Sequence, residues 1–157
     1  VDDDDGGNIY IQAKSGEDGI VVNDDGAVQL YNDNSLKAAT SSTGFSVTGT
    51  VLATTDTDTS NTGTVTLDFQ ANQNFVLTLT GNVTLANPST EQTGQSGFII
   101  FIQDGTGSRT VTLGTDYETA GAGGLTLSTA ASSVDIVPYV VQSAGNILLG
   151  KPQLAFA

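Results

Sequence analysis

The sequence predicts an all-β protein in two parts. A short-stranded, trimer-forming N-terminal shaft or collar is followed by a β-sandwich head of the jelly-roll type. Three observations predict this. Thr, Ser, Gly, Asn and Asp are plentiful, and no window of about eleven residues carries a 3.6-residue apolar period. Turn-forming clusters recur at intervals of roughly ten residues over the first third of the chain. One run, Phe98–Ile102, is apolar at five consecutive positions and so needs cover on both faces, from its own domain or from another copy of the chain.

Residues 1–7, VDDDDGG, are expected to form an acidic flexible tether, because blocks of like charge repel. A Ca²⁺-attracting role is the alternative, although no Glu follows at the spacing of an EF-hand loop. Residues 8–52 form the shaft segment. Ile9, Ile11 and Ala13 alternate with polar positions. Ile20–Val22, Ala27–Tyr31, Leu36–Ala39 and Gly44–Val51 follow, separated by turns at Ser15–Gly19, Asn23–Gly26 and Asn32–Ser35. A meander, a sandwich or a solenoid-like repeat fits that spacing. Each strand brings only two or three apolar residues, too few for an independent core. Three chains wound around a common axis would supply the missing cover.

Residues 53–62, ATTDTDTSNT, read as a polar linker and domain boundary. Residues 63–157 read as the head. Thr64–Phe69, Asn74–Thr80 and Val83–Ala86 are strand-like, Tyr117–Leu127 a Gly-rich surface loop, and Val134–Gln142 a long strand. Pro138 in that strand cannot donate to a ladder and is expected at an edge or bulge. Phe98–Ile102 and Thr110–Leu113 are expected to pair as a hairpin across the Asp104–Ser108 turn. Leu154–Ala157 should pack.

The chemistry available is sparse. There is no His, Cys, Met or Trp, and Lys14, Lys37, Arg109 and Lys151 are the only cations. A proton shuttle, thiol nucleophile and soft-metal ligand set are therefore missing, and no cofactor is expected. The net charge of −13 opposes nucleic acid and anionic membranes as partners. No apolar stretch reaches membrane-spanning length, and nothing reads as a signal peptide. A chain that begins with Val rather than Met is expected to be a processed product or the ordered part of a longer polypeptide.

Gly105-Thr106-Gly107 has the look of a phosphate loop, but no helix and no GK[ST] element follows, so a turn is expected. Arg109, the single Arg, is expected to pair with Asp104 across that turn, with ligand contact as its alternative. Asp24-Asp25 and Glu17-Asp18 have the residue type of a glycosidase pair, but the aromatic sugar platforms are missing. Asp56 and Asp58 could hold a cation weakly. Tyr117 and Tyr139 could form an exposed surface for glycans, with packing as the competing role. No catalytic residue and no metal ligand is assigned.

DGAVQLYNDN at 25–34 followed by TGFSVTGT at 43–50 resembles the fibre unit of tail-fibre and related virion proteins of marine tailed phages. LTGNVTLANP at 79–88 and GQSGFIIFIQDGTGSRT at 94–110 resemble the C-terminal modules of the same proteins. The turn after Tyr31 carries only Lys37 where relatives are more basic. The resemblance implies a structural, non-enzymatic virion protein. It would be a homotrimer with a distal C-terminal knob, contacting other virion proteins and a host-surface glycan or protein. A trimeric fibre or spike is the leading expectation. A capsid decoration or head-fibre protein is the alternative, and a glycan depolymerase a remote one.

Overall fold

The structure is a computed structural model that describes residues 7–156. The Asp2–Asp5 run, with its tether or Ca²⁺ role, lies outside those residues. The regular structure of the described residues is all strand but for a short 3₁₀ turn at Ala120–Ala122, and the chain divides into two compact units after Leu52.

Unit 1 is a five-stranded antiparallel meander of β1 (Ile9–Lys14), β2 (Glu17–Val22), β3 (Val28–Asn32), β4 (Ser35–Ser41) and β5 (Gly44–Val47), in sequential order. Of the arrangements the turn spacing allowed, this is the simplest. Short polar turns set it. Asp33 and Asn34 both have positive φ, at 50° and 55°, as the two-residue turn with matching twist demands. The Asn34 amide then donates to the Gly16 carbonyl, and its oxygen accepts the Asp18 N–H, tying two neighbouring turns together.

Unit 2 carries β6 (Thr55–Val65), β7 (Asn74–Leu85), β8 (Ser96–Gln103), β9 (Val111–Leu113), β10 (Tyr117–Thr119), β11 (Val134–Ser143), β12 (Asn146–Leu149) and β13 (Gln153–Phe156). They join in one eight-stranded sheet, β10-β12-β11-β8-β7-β6, with β13 added to β11 and β9 to β7. Hydrogen bonds thus connect all the strands of the head.

The polar stretch expected as a linker is mostly strand: β6 starts at Thr55 and runs parallel to β7. Thr at 55, 57, 59, 62 and 64 supplies β propensity without apolar bulk. Asp56, Asp58 and two register shifts blunt β6 as an edge strand.

The expected hairpin is also different. β8 and β9 do not pair with each other; both run parallel to β7, against Phe75–Leu79 and Val83–Leu85 respectively. The chain leaves the sheet at Asp104, makes a loop and re-enters in the same direction. An Asp-Gly step signals a turn but not the heading of the strand that follows.

Inward-facing Phe75, Leu77, Leu79, Ile99, Phe101, Val137 and Val141 form the core with Leu67, Phe69 and Leu127 from the connections. Phe69 lies 4.9 Å from the Phe75 ring centre and meets Tyr139 edge-on at 5.2 Å. Each such buried side chain contributes about 1.5–3 kcal/mol of transfer free energy. A Cβ on Gly97 would collide with the Gln73 carbonyl, so Gly is required where β8 begins.

Pro138 lies in β11, between β8 and β12, rather than at a sheet edge. Its carbonyl accepts the Gly150 N–H, so its missing donor faces the gap where β12 ends and β13 begins. The pair carries that one bond, since proline has no N–H to return it.

Candidate functional site

Side chains opposed in antiparallel pairs share a face. In unit 1 this produces a row across all five strands: Ile11, Ile20, Leu30, Ala38, Val47. A second row, Ile9, Val22, Val28, lies beside it, and Phe45 stands next to Val47 on the same side. None of these positions carries a charge. Ile11 is 56 % exposed and Phe45 61 %; Ile9, Val28, Leu30 and Val47 are exposed as well. Val21 and Ala38 are the only apolar side chains described as buried in the unit.

Unit 2 has a smaller apolar surface on the outside of its sheet. Phe98 opposes Pro138, Ile100 opposes Ile136, and Ile102 opposes Val134, which in turn opposes Phe156. Phe98, Val140 and Phe156 are exposed, and Ile100, Ile102, Val134 and Ile136 are half-buried. The Phe98–Ile102 run therefore has one face in the core and one face largely open.

The Asp104 loop is fixed internally. Asp104 Oδ1 accepts the Thr106 and Gly107 N–H groups at 2.9 Å, and Oδ2 accepts Arg109 Nε at 3.1 Å and Nη2 at 2.9 Å. The Arg109 guanidinium, followed by the Gly107 N–H, holds the Asp104 carboxyl below its usual range. The expected ion pair is present, and Arg109 is committed to it. Beneath, the buried Gln103 amide donates to the Arg109 and Ser128 carbonyls and accepts the Arg109 N–H. This closes the loop across its two ends.

Tyr117 and Tyr139 are both buried, so they do not form the exposed glycan surface. The Tyr139 hydroxyl donates to the Gln73 carbonyl at 2.6 Å, and burial pushes its phenol up to about 12. Burial, then the charges of Glu91 and Asp116, raises the Tyr117 phenol further. Leu125 and Leu127, at the end of the expected surface loop, face the core.

Glu17-Asp18 open β2, and Asp24-Asp25 follow its end. At about 3.3 Å per residue the two pairs are some 20 Å apart. Glycosidase carboxylates stand about 5–9.5 Å apart, so these pairs do not combine into one site. Among the described residues, no three His, Cys, Asp or Glu side chains gather at one point. The depressions in unit 2 are open grooves. The largest described, about 390 Å³, runs beside Thr119, Gly124, Leu149 and Lys151.

Sequence reasoning missed Asp135. It is fully buried and accepts Ser128 N–H and Oγ–H at 2.7 Å and the Ala155 N–H at 2.8 Å. It holds the connection from β10 to β11, and β13, to the sheet. An acidic residue on the apolar-alternation side of a strand was the available signal.

Neither a curated protein nor a solved structure matches the chain. The family described as "Putative phage tail fibre C-terminal domain" matches residues 61–146, which cover β7 to β11 and all of the apolar outer face just described except Phe156. With more than half of its 157 residues inside that match, the chain belongs to the phage tail fibre C-terminal domain family and has a structural, virion-associated role.

Proposed function

We propose that the chain is a homotrimeric fibre or spike projecting from a marine tailed-phage particle. Residues 8–52 form an intertwined shaft or collar, and residues 53–157 form the distal head. The head meets a host-surface glycan or protein through weak contacts multiplied by avidity. The observation that carries this reading is the uncovered apolar face of unit 1. A five-stranded sheet with only Val21 and Ala38 described as buried lacks the apolar burial that stabilises a domain on its own. In a chain of net charge −13, an uncharged face is also the surface that like copies can bring together without stacking carboxylates.

Light scattering on the purified chain tests the proposal. The expected mass is that of three chains, falling to one chain in a variant with Ile11→Asp and Leu30→Asp. A wild-type monomer at concentrations near those in the particle would remove the trimer. Adhesion is tested separately, by loss of phage adsorption when purified protein is added as competitor.

A further inference from the structure

We propose that the outer face of the unit 2 sheet is a contact between copies of this chain, made once unit 1 has gathered them. The inference rests on the trimer proposed above. The face is wider than the strip between β8 and β11. Ile100 lies beside Val76 and Val76 beside Thr57, and Ile102 lies beside Thr78. Neighbouring positions at one register share a face, so the apolar strip runs from Phe156 on β13 across β11, β8 and β7 and ends in the threonines of β6. Asp56 and Asp58 oppose the core residues Phe75 and Leu77, so the carboxylates of β6 leave this side free. Asp135 of β11 opposes Phe101 and is likewise on the core side. Among the described residues, no charged side chain stands on these rows.

The face carries both halves of a packing contact. A recess of about 270 Å³ opens among Thr55, Asn74, Phe98, Ile100 and Ile136. Two phenyl rings project from the same side: Phe98 is 48 % exposed and Phe156 45 %. Aromatic rings seated in pockets dominate the energetics of protein interfaces. A surface that holds both ring and recess can meet a rotated copy of itself, each chain giving a ring and receiving one.

Size selects the occupant. Five strands about 4.8 Å apart and three rows about 6.6 Å apart make a patch of roughly 500 Å². A specific partner arriving from solution needs about 800 Å² on each side, so the patch is too small to hold one. A copy already tethered through unit 1 stands at an effective concentration of roughly millimolar, where so small a contact forms. Charge points the same way. The face has none with which to steer a basic or acidic partner. It also lets chains of net charge −13 approach without stacking carboxylates.

The chain has no cysteine, so one introduced thiol reports on this face in the full chain. Val140 is exposed at the Phe98 end of β11, and Thr106, in the exposed turn after Asp104, supplies the control. Each is changed to Cys in a separate protein, and the rate of reaction with a maleimide is measured beside the mass from light scattering. With a mass of three chains, Val140→Cys should react about tenfold more slowly than Thr106→Cys. Adding Phe98→Asp should keep three chains and restore the fast rate. Phe156→Asp, on the exposed last strand, should do the same and serves if Phe98→Asp misfolds. Ile11→Asp with Leu30→Asp should give single chains and a fast thiol. A fast Val140→Cys thiol in a sample of three chains means that the face is open to a different partner; it overturns this contact and leaves the trimer standing. Single chains in the wild-type background overturn both. Slow reaction that survives Phe98→Asp and Phe156→Asp, or that persists in single chains, also overturns the contact.

Discussion

Unit 1 and unit 2 are built from strands of the same kind, with the same alternation, yet only one of them has a core. In unit 2 the inner sheet face is buried, and the connections add Leu67, Phe69 and Leu127 to its core. In unit 1 the connections are polar turns of two to five residues with nothing to lay over the sheet. Strand pattern decides where a sheet forms. The length and composition of the connections decide whether the sheet can bury itself. A meander with tight polar turns presents its apolar face outward.

The comparison can be broken first where the core is thickest. Phe101→Ala should cost unit 2 about 3–5 kcal/mol, while Val21→Ala in unit 1 should cost less; thermal denaturation followed by circular dichroism compares them. Equal losses would mean that the two units are alike in packing. Asp135→Ala should come next. It strands the Ser128 and Ala155 donors and should cost at least about 1–3 kcal/mol, read as a lower denaturation midpoint and as faster proteolysis at the C-terminal strand.

Alkaline titration sharpens the same contrast. The Tyr139 phenol is raised from 10.0 to about 12 by burial, so folding favours its protonated form. Its contribution is complete below pH 10 and is lost as pH rises through about 12. Unit 2 should therefore lose stability across that window, and Tyr139→Phe should flatten the loss. The smallest effect belongs to Arg109→Ala. Its pair with Asp104 is partly exposed, so its removal should shift the denaturation midpoint least of all. What remains of that contribution lies above pH 3.8 and fades as the pH falls below it, because the pairing lowers the Asp104 carboxyl.

Much of this was legible in the sequence. Composition and turn spacing set the class, two or three apolar residues per strand exposed the thin core of unit 1, and the Asp104–Arg109 pair followed from its spacing. Direction of pairing was not legible. β8 and β9 looked like a hairpin because turn residues mark where a strand stops and not where the next one heads; Gln103 instead bonds across a loop that returns the chain in the same direction. β6 was hidden because an edge strand that avoids aggregation is polar by construction, and the same composition makes a linker. The bond from the Gly145 N–H to Glu91 was beyond reach for a different reason: the two lie 54 residues apart, and only the fold brings them together.

Hydrogen exchange of the intact chain at two concentrations, one above and one below the assembly range, tests the central claim most directly. Amides of residues 8–47 should be protected at the higher concentration and exchange rapidly at the lower, while those of β7, β8 and β11 stay protected at both. Equal protection of 8–47 at both concentrations, in a sample shown to be monomeric at the lower, would mean that unit 1 closes its own core and would contradict the account.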